Sequence, residues 1–209
     1  MTGIADALKP LLGAKPPPAK EIELAIGGTR VVGWLRNVGK KGLVHYTYSR
    51  LQGKNRIATW VRHLALLASG HGSESWLVTR TKDASSCERY RAVDHADEEL
   101  ATLVDLYWRG LEAPLLFFAD PSFDYAAHAP TIGHENAVHK ARRSFTSQFG
   151  LASCPYVRRV LGDRDPFEDD FEPFGSARDK RRFPPFGALA TTIVKPLLSH
   201  EEHVEEKGR

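Results

Sequence analysis

The spacing of apolar residues changes along the chain, and each change predicts a new element. In residues 21–35 apolar and polar side chains alternate on both sides of Gly27 and Gly28, and a second alternating run spans residues 43–48. Alternation with period two is typical of strands, and two adjacent glycines suit the tight turn of a hairpin. A Gly-Lys-Lys-Gly turn at residues 39–42 connects the runs, so the pattern predicts three antiparallel strands.

A helical period replaces this alternation in residues 55–68. Trp60, Val61 and Leu64 recur on one face of a helix with 3.6 residues per turn, and Gly70 is placed to end it. Similar patterns predict helices at Ile4–Leu12, at 94–110, at 137–149 and at about 186–203, and a strand at Ser75–Arg80.

Strands with helices packed against them predict an α/β or α+β layered domain. Residues 1–20 are interpreted as an N-terminal helix and a Pro-rich linker, because the proline run at 16–18 lacks three consecutive amide donors. Residues 21–203 form the predicted domain, in which a polar loop holds Cys87, and residues 204–209 form a polar tail.

Charge and composition narrow the class of protein only a little. The chain has 209 residues and a formal net charge of +3, which permits contact with nucleic acid without requiring it. Cys87 and Cys154 belong to no CxxC or Cys/His cluster, which is typical of reduced thiols in a cytoplasmic protein. The N-terminus lacks the pattern of a signal peptide, and no stretch is long enough to span a membrane. We therefore expect a cytoplasmic protein that has no membrane partner.

Residues 33–67 contain a strand, a Gly/Lys turn, a strand and a helix, an order that suits the core of PD-(D/E)XK nucleases. Those enzymes hold a divalent metal ion with carboxylates, and their second strand reads acid–any–Lys so that both groups share one face. Here that strand carries His45 and Thr47, while Arg36 and Asn37 stand where an aspartate would be expected. Because none of these side chains supplies a carboxylate, we predict that the catalytic and metal-binding residues are lost.

Other motifs with catalytic spacing are incomplete. The triplet acid–any–Lys occurs only at residues 205–207, in the polar tail. His134 and His139 stand five residues apart, so on a helix they point in different directions and do not form the zinc motif HExxH. The acidic run at 163–172 is interrupted by phenylalanines, which favours a solvated loop pinned by buried aromatic rings. No Walker loop or GxGxxG is present, which excludes an ATP-driven motor in this chain.

Short basic clusters are the remaining candidates for binding. Basic side chains beside an aromatic ring suit phosphate contact combined with base stacking, although each cluster alone is equally typical of a solubilising surface. The candidate DNA-binding residues are Lys40, Lys41, Lys140, Arg142, Arg143, Lys180, Arg181, Arg182 and Phe183.

An ordered set of short segments resembles a known family. The segments are VGWL at residues 32–35, WVRHL at 60–64, SWLVTR at 75–80 and YWRGL at 107–111. Together they resemble the C-terminal domain of RecC, the gamma subunit of exodeoxyribonuclease V, the RecBCD complex. The resemblance covers residues 21–118 and continues in the same order to the final helix.

This resemblance implies a PD-(D/E)XK-like fold, with a mixed sheet flanked by helices, that has lost its catalytic residues. It implies a non-catalytic domain that packs against RecB-like and RecD-like subunits and the rest of RecC, and that contacts double-stranded DNA ends and single-stranded DNA. The complex degrades and unwinds such ends for recombinational repair, and its partner subunits use Mg²⁺ and ATP, so we expect no cofactor in this chain. The helicase-like N-terminal domains of RecC are missing here, which implies a fragment or a split subunit.

Two other functions remain open at this point. The first is a divergent metal-dependent nuclease that recruits carboxylates such as Asp169 or Asp170 into the cleft. The second is a free-standing DNA-binding module, which would require the basic clusters to line one groove.

Overall fold

A computed structural model describes residues 3–13, 15, 17–148, 150–168 and 184–204. Contacts between residues divide the chain into two compact units, one made of Met1–Asp105 with Ser199–Arg209 and one made of Leu106–Leu198. The expectation of one domain over residues 21–203 stays a prediction. The elements in chain order are α1 (Ile4–Leu12), β1 (Lys20–Ile26), β2 (Thr29–Leu35), β3 (Val38–Gly39), β4 (Gly42–Tyr46), α2 (Gly53–Ala68), β5 (Ser75–Arg80), β6 (Ser85–Tyr90), α3 (Ala96–Glu112), α4 (Ala119–Ile132), α5 (His134–Thr146), a 3₁₀ turn (Leu151–Ser153), α6 (Pro155–Leu161), α7 (Phe186–His200) and β7 (Glu201–Val204).

The first hairpin is confirmed. Strands β1 and β2 pair antiparallel over their whole length. Gly27 and Gly28 connect them with φ angles of 54° and 78°. Positive φ at both positions is what the favoured two-residue hairpin turn requires, and glycine adopts it without strain.

The predicted meander of three antiparallel strands is wrong. Strands β1 and β2 form a two-stranded sheet of their own, and a second sheet has the order β3-β4-β5-β6-β7. Asn37 has a φ of 59°, a left-handed conformation that turns the chain out of line with β2. Strand β4 then pairs parallel to β5, and α2 forms the connection that parallel strands need. The domain is therefore mixed α/β with a mixed sheet.

Helix α1 covers one face of the five-stranded sheet. Ile4 and Leu11 are buried in one cluster with Val44, Val78 and Cys87. These two helix residues are seven apart and lie on the same side of α1, so an apolar stripe meets the sheet. The helix was expected to stand outside the domain as part of a linker segment, and the structure instead places it in the core of the first unit.

Helix α2 packs on the opposite face. The helix predicted at residues 55–68 is confirmed, and it ends at Ala68 before Gly70, whose φ is 68°. Trp60 and Leu64 are buried as expected, whereas Val61 is 37 % exposed. Thr59 and His63 are fully buried in its place. The buried stripe is rotated because this face of the sheet offers polar partners as well as apolar ones.

The sequence pattern failed to predict two strands, one that contains Cys87 and one that follows the last helix. The predicted polar loop is β6, which pairs antiparallel with β5. The last helix ends at His200, not near residue 203, and Glu201–Val204 form β7 along β6. Both strands are rich in charged residues, so the alternation that reveals a strand is hidden. Residues 205–209 of the predicted tail lie outside the described residues.

The second unit is organised around an aromatic cluster. Phe118 and Phe145 have ring centroids 4.9 Å apart, and Phe167 and Phe186 have centroids 4.6 Å apart. The buried Phe167 agrees with the expectation that aromatic rings pin the acidic loop. Helix α4 was not predicted, and α5 begins at His134, three residues earlier than expected. None of the helices described is both long enough and apolar enough to cross a membrane.

Candidate functional site

Strand β4 carries a hydrogen-bonded histidine at the position where the predicted nuclease pattern would have an acid. His45 Nδ1 lies 2.7 Å from the hydroxyl oxygen of Thr59 on α2. That hydroxyl donates to the carbonyl oxygen of Asn55 at 2.8 Å, so the His45 Nδ1–H is the donor in the first bond. Partial burial, and secondly the charge of Arg62, lower the pKa of His45 below its ordinary value. The side chain is therefore a neutral donor bound to the protein near pH 7.

Thr47 lies just beyond the end of β4 and is also engaged. Its backbone N–H donates to Val78 O at 3.0 Å. Its hydroxyl oxygen lies 3.2 Å from the Ser49 hydroxyl and accepts the Ser49 N–H at 3.2 Å. The Asn55 amide donates to the Ser49 hydroxyl at 2.9 Å, which connects this turn to the start of α2. Thr47 therefore stabilises the turn between β4 and α2.

The other two positions that we predicted to be lost ligands lie between β2 and β3. Arg36 is exposed, and Asn37 is partly buried. The Asn37 carbonyl accepts the Val44 N–H at 2.9 Å, so this residue contacts β4 through its backbone. Within the described part of the chain, no group of three or more His, Cys, Asp or Glu side chains is placed to hold a metal ion.

The carboxylate of Glu88 lies on the same face of the sheet as His45. In the strand register, His45 stands opposite Leu77, and Leu77 stands opposite Glu88. Two strand spacings amount to about 10 Å, which is too far for two side chains of these lengths to share one ion without moving. Glu88 is 5 % exposed and accepts hydrogen bonds from the Ser86 hydroxyl at 3.0 Å and from His203 Nδ1 at 2.9 Å.

A buried ion pair closes the space between α2 and the last strand. The Arg56 guanidinium donates to Glu201 through Nε, at 2.9 Å from Oε1, and through a terminal nitrogen to Oε2. The Tyr90 hydroxyl donates to Glu201 Oε1 at 2.7 Å. Burial, together with the neighbouring Glu201 charge, raises the pKa of Tyr90 above its ordinary range. The tyrosine is therefore a neutral donor at neutral pH.

His63 is a second buried polar group on α2. Its Nδ1 accepts the Ser75 hydroxyl at 2.9 Å, and its Nε2–H donates to Arg91 O at 2.9 Å. The side chain is fully buried, and burial lowers its pKa to about 4. Both ring nitrogens are satisfied, and its partners are different from those of His45. We refer to Arg56, Thr59, His63, Ser75, Tyr90 and Glu201 as the polar layer between α2 and the sheet.

The polar layer has the character of a structural network. Its buried donors and acceptors pair with one another or with the backbone, which is what a stable interior requires. The Arg56–Glu201 pair has no local signal in the sequence, because the two residues are separated by 145 positions.

The structure separates the roles of the three basic residues predicted on α5. Arg142 donates to Asp165 at 2.9 Å and 2.7 Å, and its guanidinium lies 5.8 Å from the centre of the Phe167 ring. It therefore joins α5 to the loop after α6. Lys140 and Arg143 are exposed, and the Lys140 ammonium donates to His128 Nε2 at 2.6 Å. The contact of these three residues with DNA stays a prediction.

The other candidate residues occupy separate places. Lys40 and Lys41 are exposed at the turn between β3 and β4, and the Lys41 carbonyl accepts the Trp76 indole N–H at 2.9 Å. Six further candidates, Asp169, Asp170, Lys180, Arg181, Arg182 and Phe183, lie outside the described residues. The HExxH-like pair is split, since His134 bonds the Tyr125 hydroxyl at 2.9 Å and His139 is exposed.

Sequence reasoning missed a surface on the short helix α6. Tyr156 is 82 % exposed, and Arg158 and Arg159 are exposed on the same helix. An apolar groove with a volume of about 330 Å³ lies between this helix and residues 114–118. The segment PYVRRVL places apolar residues at positions two, three, six and seven, a local signal that could have indicated this surface.

Comparison with known proteins gives two matches. A family model of the RecC C-terminal domain matches residues 1–130. The RecBCD enzyme subunit RecC of Escherichia coli strain K12 is 29 % identical over 141 residues, which make up 65 % of this chain and 12 % of that protein. The chain thus spans a small part of the length of this relative. The family match includes α1, in agreement with the place of that helix in the core, and ends within α4.

Proposed function

The chain belongs to the family of RecC C-terminal domains, and from this premise we propose that it is the non-catalytic, nuclease-like domain of a RecC-type subunit. It acts within an exodeoxyribonuclease V complex in the processing and unwinding of double-strand DNA ends and in recombinational repair. Its contribution is made through contacts with partner subunits and with DNA, in the cytoplasm.

The arrangement of the first unit supports a PD-(D/E)XK-like scaffold. Helix α1 covers one face of the sheet and α2 covers the other, and α2 directly follows the strand that would carry the acid–any–Lys triplet. On that strand stands His45, and Thr47 follows just beyond it. The scaffold is thus compatible with a nuclease ancestor whose metal ligands have been replaced.

The His45–Thr59 hydrogen bond is the single observation that carries this proposal. A metal-dependent nuclease needs charged oxygen ligands at this position, because Mg²⁺ is a hard cation. A neutral imidazole that donates its Nδ1–H to α2 offers no such charge. In this proposal the magnesium ion and ATP are used by RecB-like and RecD-like subunits, and this chain provides binding surface.

The test has two arms. In the first, the purified chain is incubated with linear duplex DNA and Mg²⁺ or Mn²⁺, and we expect no cleavage above that of a mock purification. In the second, the chain is mixed with the RecB-like and RecD-like subunits and the remaining part of RecC encoded in the same genome, and we expect a stable complex in size-exclusion chromatography. Cleavage that a chelator abolishes and that the mock lacks, or failure of the wild-type chain to join the complex, would refute the proposal.

A further inference from the structure

The loop between β4 and α2 lies against the end of β5. The Thr47 backbone N–H donates to Val78 O at 3.0 Å, and the Arg80 N–H donates to Ser49 O at 3.0 Å. The Asn55 amide on α2 donates to the Ser49 hydroxyl at 2.9 Å. These bonds hold the loop beside the end of β5, so residues that are far apart in the sequence share one surface.

This surface is basic. Its exposed cations are Arg50, Lys54, Arg80 and Lys82, and none of their side chains forms a hydrogen bond or an ion pair with another described residue. Residues 47–54 and 80–84 contain these four cations and one acid, Asp83, which is also exposed. The surface therefore keeps a net positive charge that no described carboxylate neutralises.

Lys54 stands where a cation is electrostatically unfavourable. It lies in the first turn of α2, at the positive end of the helix dipole, and that turn contains no acidic residue. A bound anion would relieve the repulsion between Lys54 and the helix end. A ligand that carries several negative charges therefore suits this surface better than a neutral ligand does.

Two tyrosines lie next to these cations. Tyr46 is the last residue of β4 and is 41 % exposed, and Tyr48 is 72 % exposed. Neither tyrosine forms a hydrogen bond or a ring contact with another described residue. An exposed ring among cations can stack on a nucleic-acid base while the cations contact the phosphates. Such stacking needs bases that are not already stacked in a duplex, which favours a single strand.

We propose that these exposed cations and tyrosines form a binding surface for single-stranded DNA, the basic-aromatic surface, which consists of Tyr46, Tyr48, Arg50, Lys54, Arg80 and Lys82. Tyr48 stacks on a base, and Arg50 and Lys54 contact neighbouring phosphates. The surface lies beyond the end of β4, whereas Lys40 and Lys41 precede the buried part of that strand. The inference rests on the proposed function, which supplies DNA as the nucleic acid.

Variants of Tyr48 test the stacking contact. The full chain is titrated against a fluorescein-labelled oligothymidylate of about 15 nucleotides, and fluorescence anisotropy gives the affinity. We expect Tyr48→Ala to weaken binding at least about five-fold and Tyr48→Phe to preserve it, because the ring and not the hydroxyl contacts the base. On an abasic oligonucleotide of the same length, which keeps the phosphates, Tyr48→Ala should have no effect. An equal loss of affinity on both oligonucleotides would refute the stacking contact and with it the inference.

The double variant Arg50→Ala/Lys54→Ala tests the phosphate contacts. It should lower the slope of log affinity against log salt concentration by about 1.4, since each contact to a single strand contributes about 0.7. The matched control is Arg62→Ala/Lys195→Ala, which removes two exposed cations at other places and should leave the slope nearly unchanged. Circular dichroism checks that each variant is folded. If the two double variants lowered the slope equally, the effect would come from net charge alone, and the inference would be overturned.

Further outcomes separate this inference from the proposed function. If the Tyr48 and Arg50/Lys54 variants weakened binding to a duplex but not to the single strand, or if the chain bound the matching RNA more tightly than the DNA, the inference would fail while assembly with the other subunits still occurred. If the chain bound single-stranded DNA through Tyr48 but did not join those subunits, the proposed function would fail and the binding surface would stand.

Discussion

Arg56 and Glu201 are separated by 145 residues in the sequence and form a two-point ion pair in the interior of the first unit. Their side chains are only 16 % and 8 % exposed. The Tyr90 hydroxyl donates to the same carboxylate, so three elements, α2, β6 and β7, meet at Glu201. The pair thus anchors the last strand to the core.

Removal of Glu201 should lower the free energy of unfolding much more than the loss of an ordinary surface ion pair does. We expect Glu201→Ala to lower the free energy of unfolding by about 3–5 kcal/mol, because it removes the carboxylate that accepts hydrogen bonds from the buried Arg56 guanidinium and the Tyr90 hydroxyl. The control is Glu202→Ala, on the same strand, whose side chain is 39 % exposed and bonds Arg89. That variant should cost less than about 1 kcal/mol in urea denaturation. If both variants lost the same free energy of unfolding, the stability would depend on β7 itself and not on the ion pair.

His63 should make stability depend on pH. Burial is the main cause of its pKa of about 4, with the charge of His200 adding to the effect and the bond to Arg91 O opposing it. The folded state therefore disfavours the protonated ring. The contribution of neutral His63 to the free energy of unfolding is complete above the ordinary pKa of 6.5, and it is lost as the pH falls from 6.5 towards 4. The total loss in the free energy of unfolding amounts to about 3 kcal/mol.

Two variants isolate the contribution of His63 from that of other titrating groups. Urea denaturation of His63→Gln between pH 7 and pH 4.5 should show a weaker decline in stability than the wild type, although its stability at pH 7 is lower. His71→Gln is the control, because His71 is exposed. A His63→Gln slope identical to that of the wild type would contradict the prediction.

Gly42 should tolerate no side chain. Its φ is 103°, and a Cβ there would lie 2.0 Å from the carbonyl oxygen of Glu74. We expect Gly42→Ala to lower stability by about 2–3 kcal/mol, since the backbone of Glu74 must move or the turn must change. Gly33→Ala serves as the control, because nothing lies within 4 Å of a Cβ at that position. Thermal unfolding followed by circular dichroism compares the two, and a similar melting temperature for both would contradict the prediction.

The basic residues of α5 should separate into structural and DNA-contacting groups. Arg142→Gln should lower stability by about 1 kcal/mol and leave DNA affinity unchanged, because Arg142 is held by Asp165. Lys140→Ala and Arg143→Ala should leave the free energy of unfolding unchanged. Each should lower the slope of log DNA affinity against log salt concentration by the amount expected for about one phosphate contact. Fluorescence anisotropy with a labelled duplex at several salt concentrations measures both effects. If Arg142→Gln alone weakened DNA binding, the assignment of roles would be reversed.

The sequence predicted part of the candidate site. It placed His45 on a strand, and the structure confirms the strand through the pairing of β4 with β5. It could not indicate that Thr59 bonds His45, because a threonine inside a helical pattern has no visible partner. It likewise placed Arg142 among DNA contacts, since the acceptor Asp165 lies 23 residues further along the chain.

The sequence by itself determined the elements whose signals are local. The helix Ile4–Leu12, the hairpin turn at Gly27 and Gly28 and the strand Ser75–Arg80 each depend on spacing or backbone freedom within a few residues. Only the tertiary structure decided which strands share a sheet, that Glu201–Val204 form an edge strand, and that Glu201 is buried with Arg56. The reason is that a polar residue is stable inside a protein only beside its partner, and that partner here lies far away in the chain.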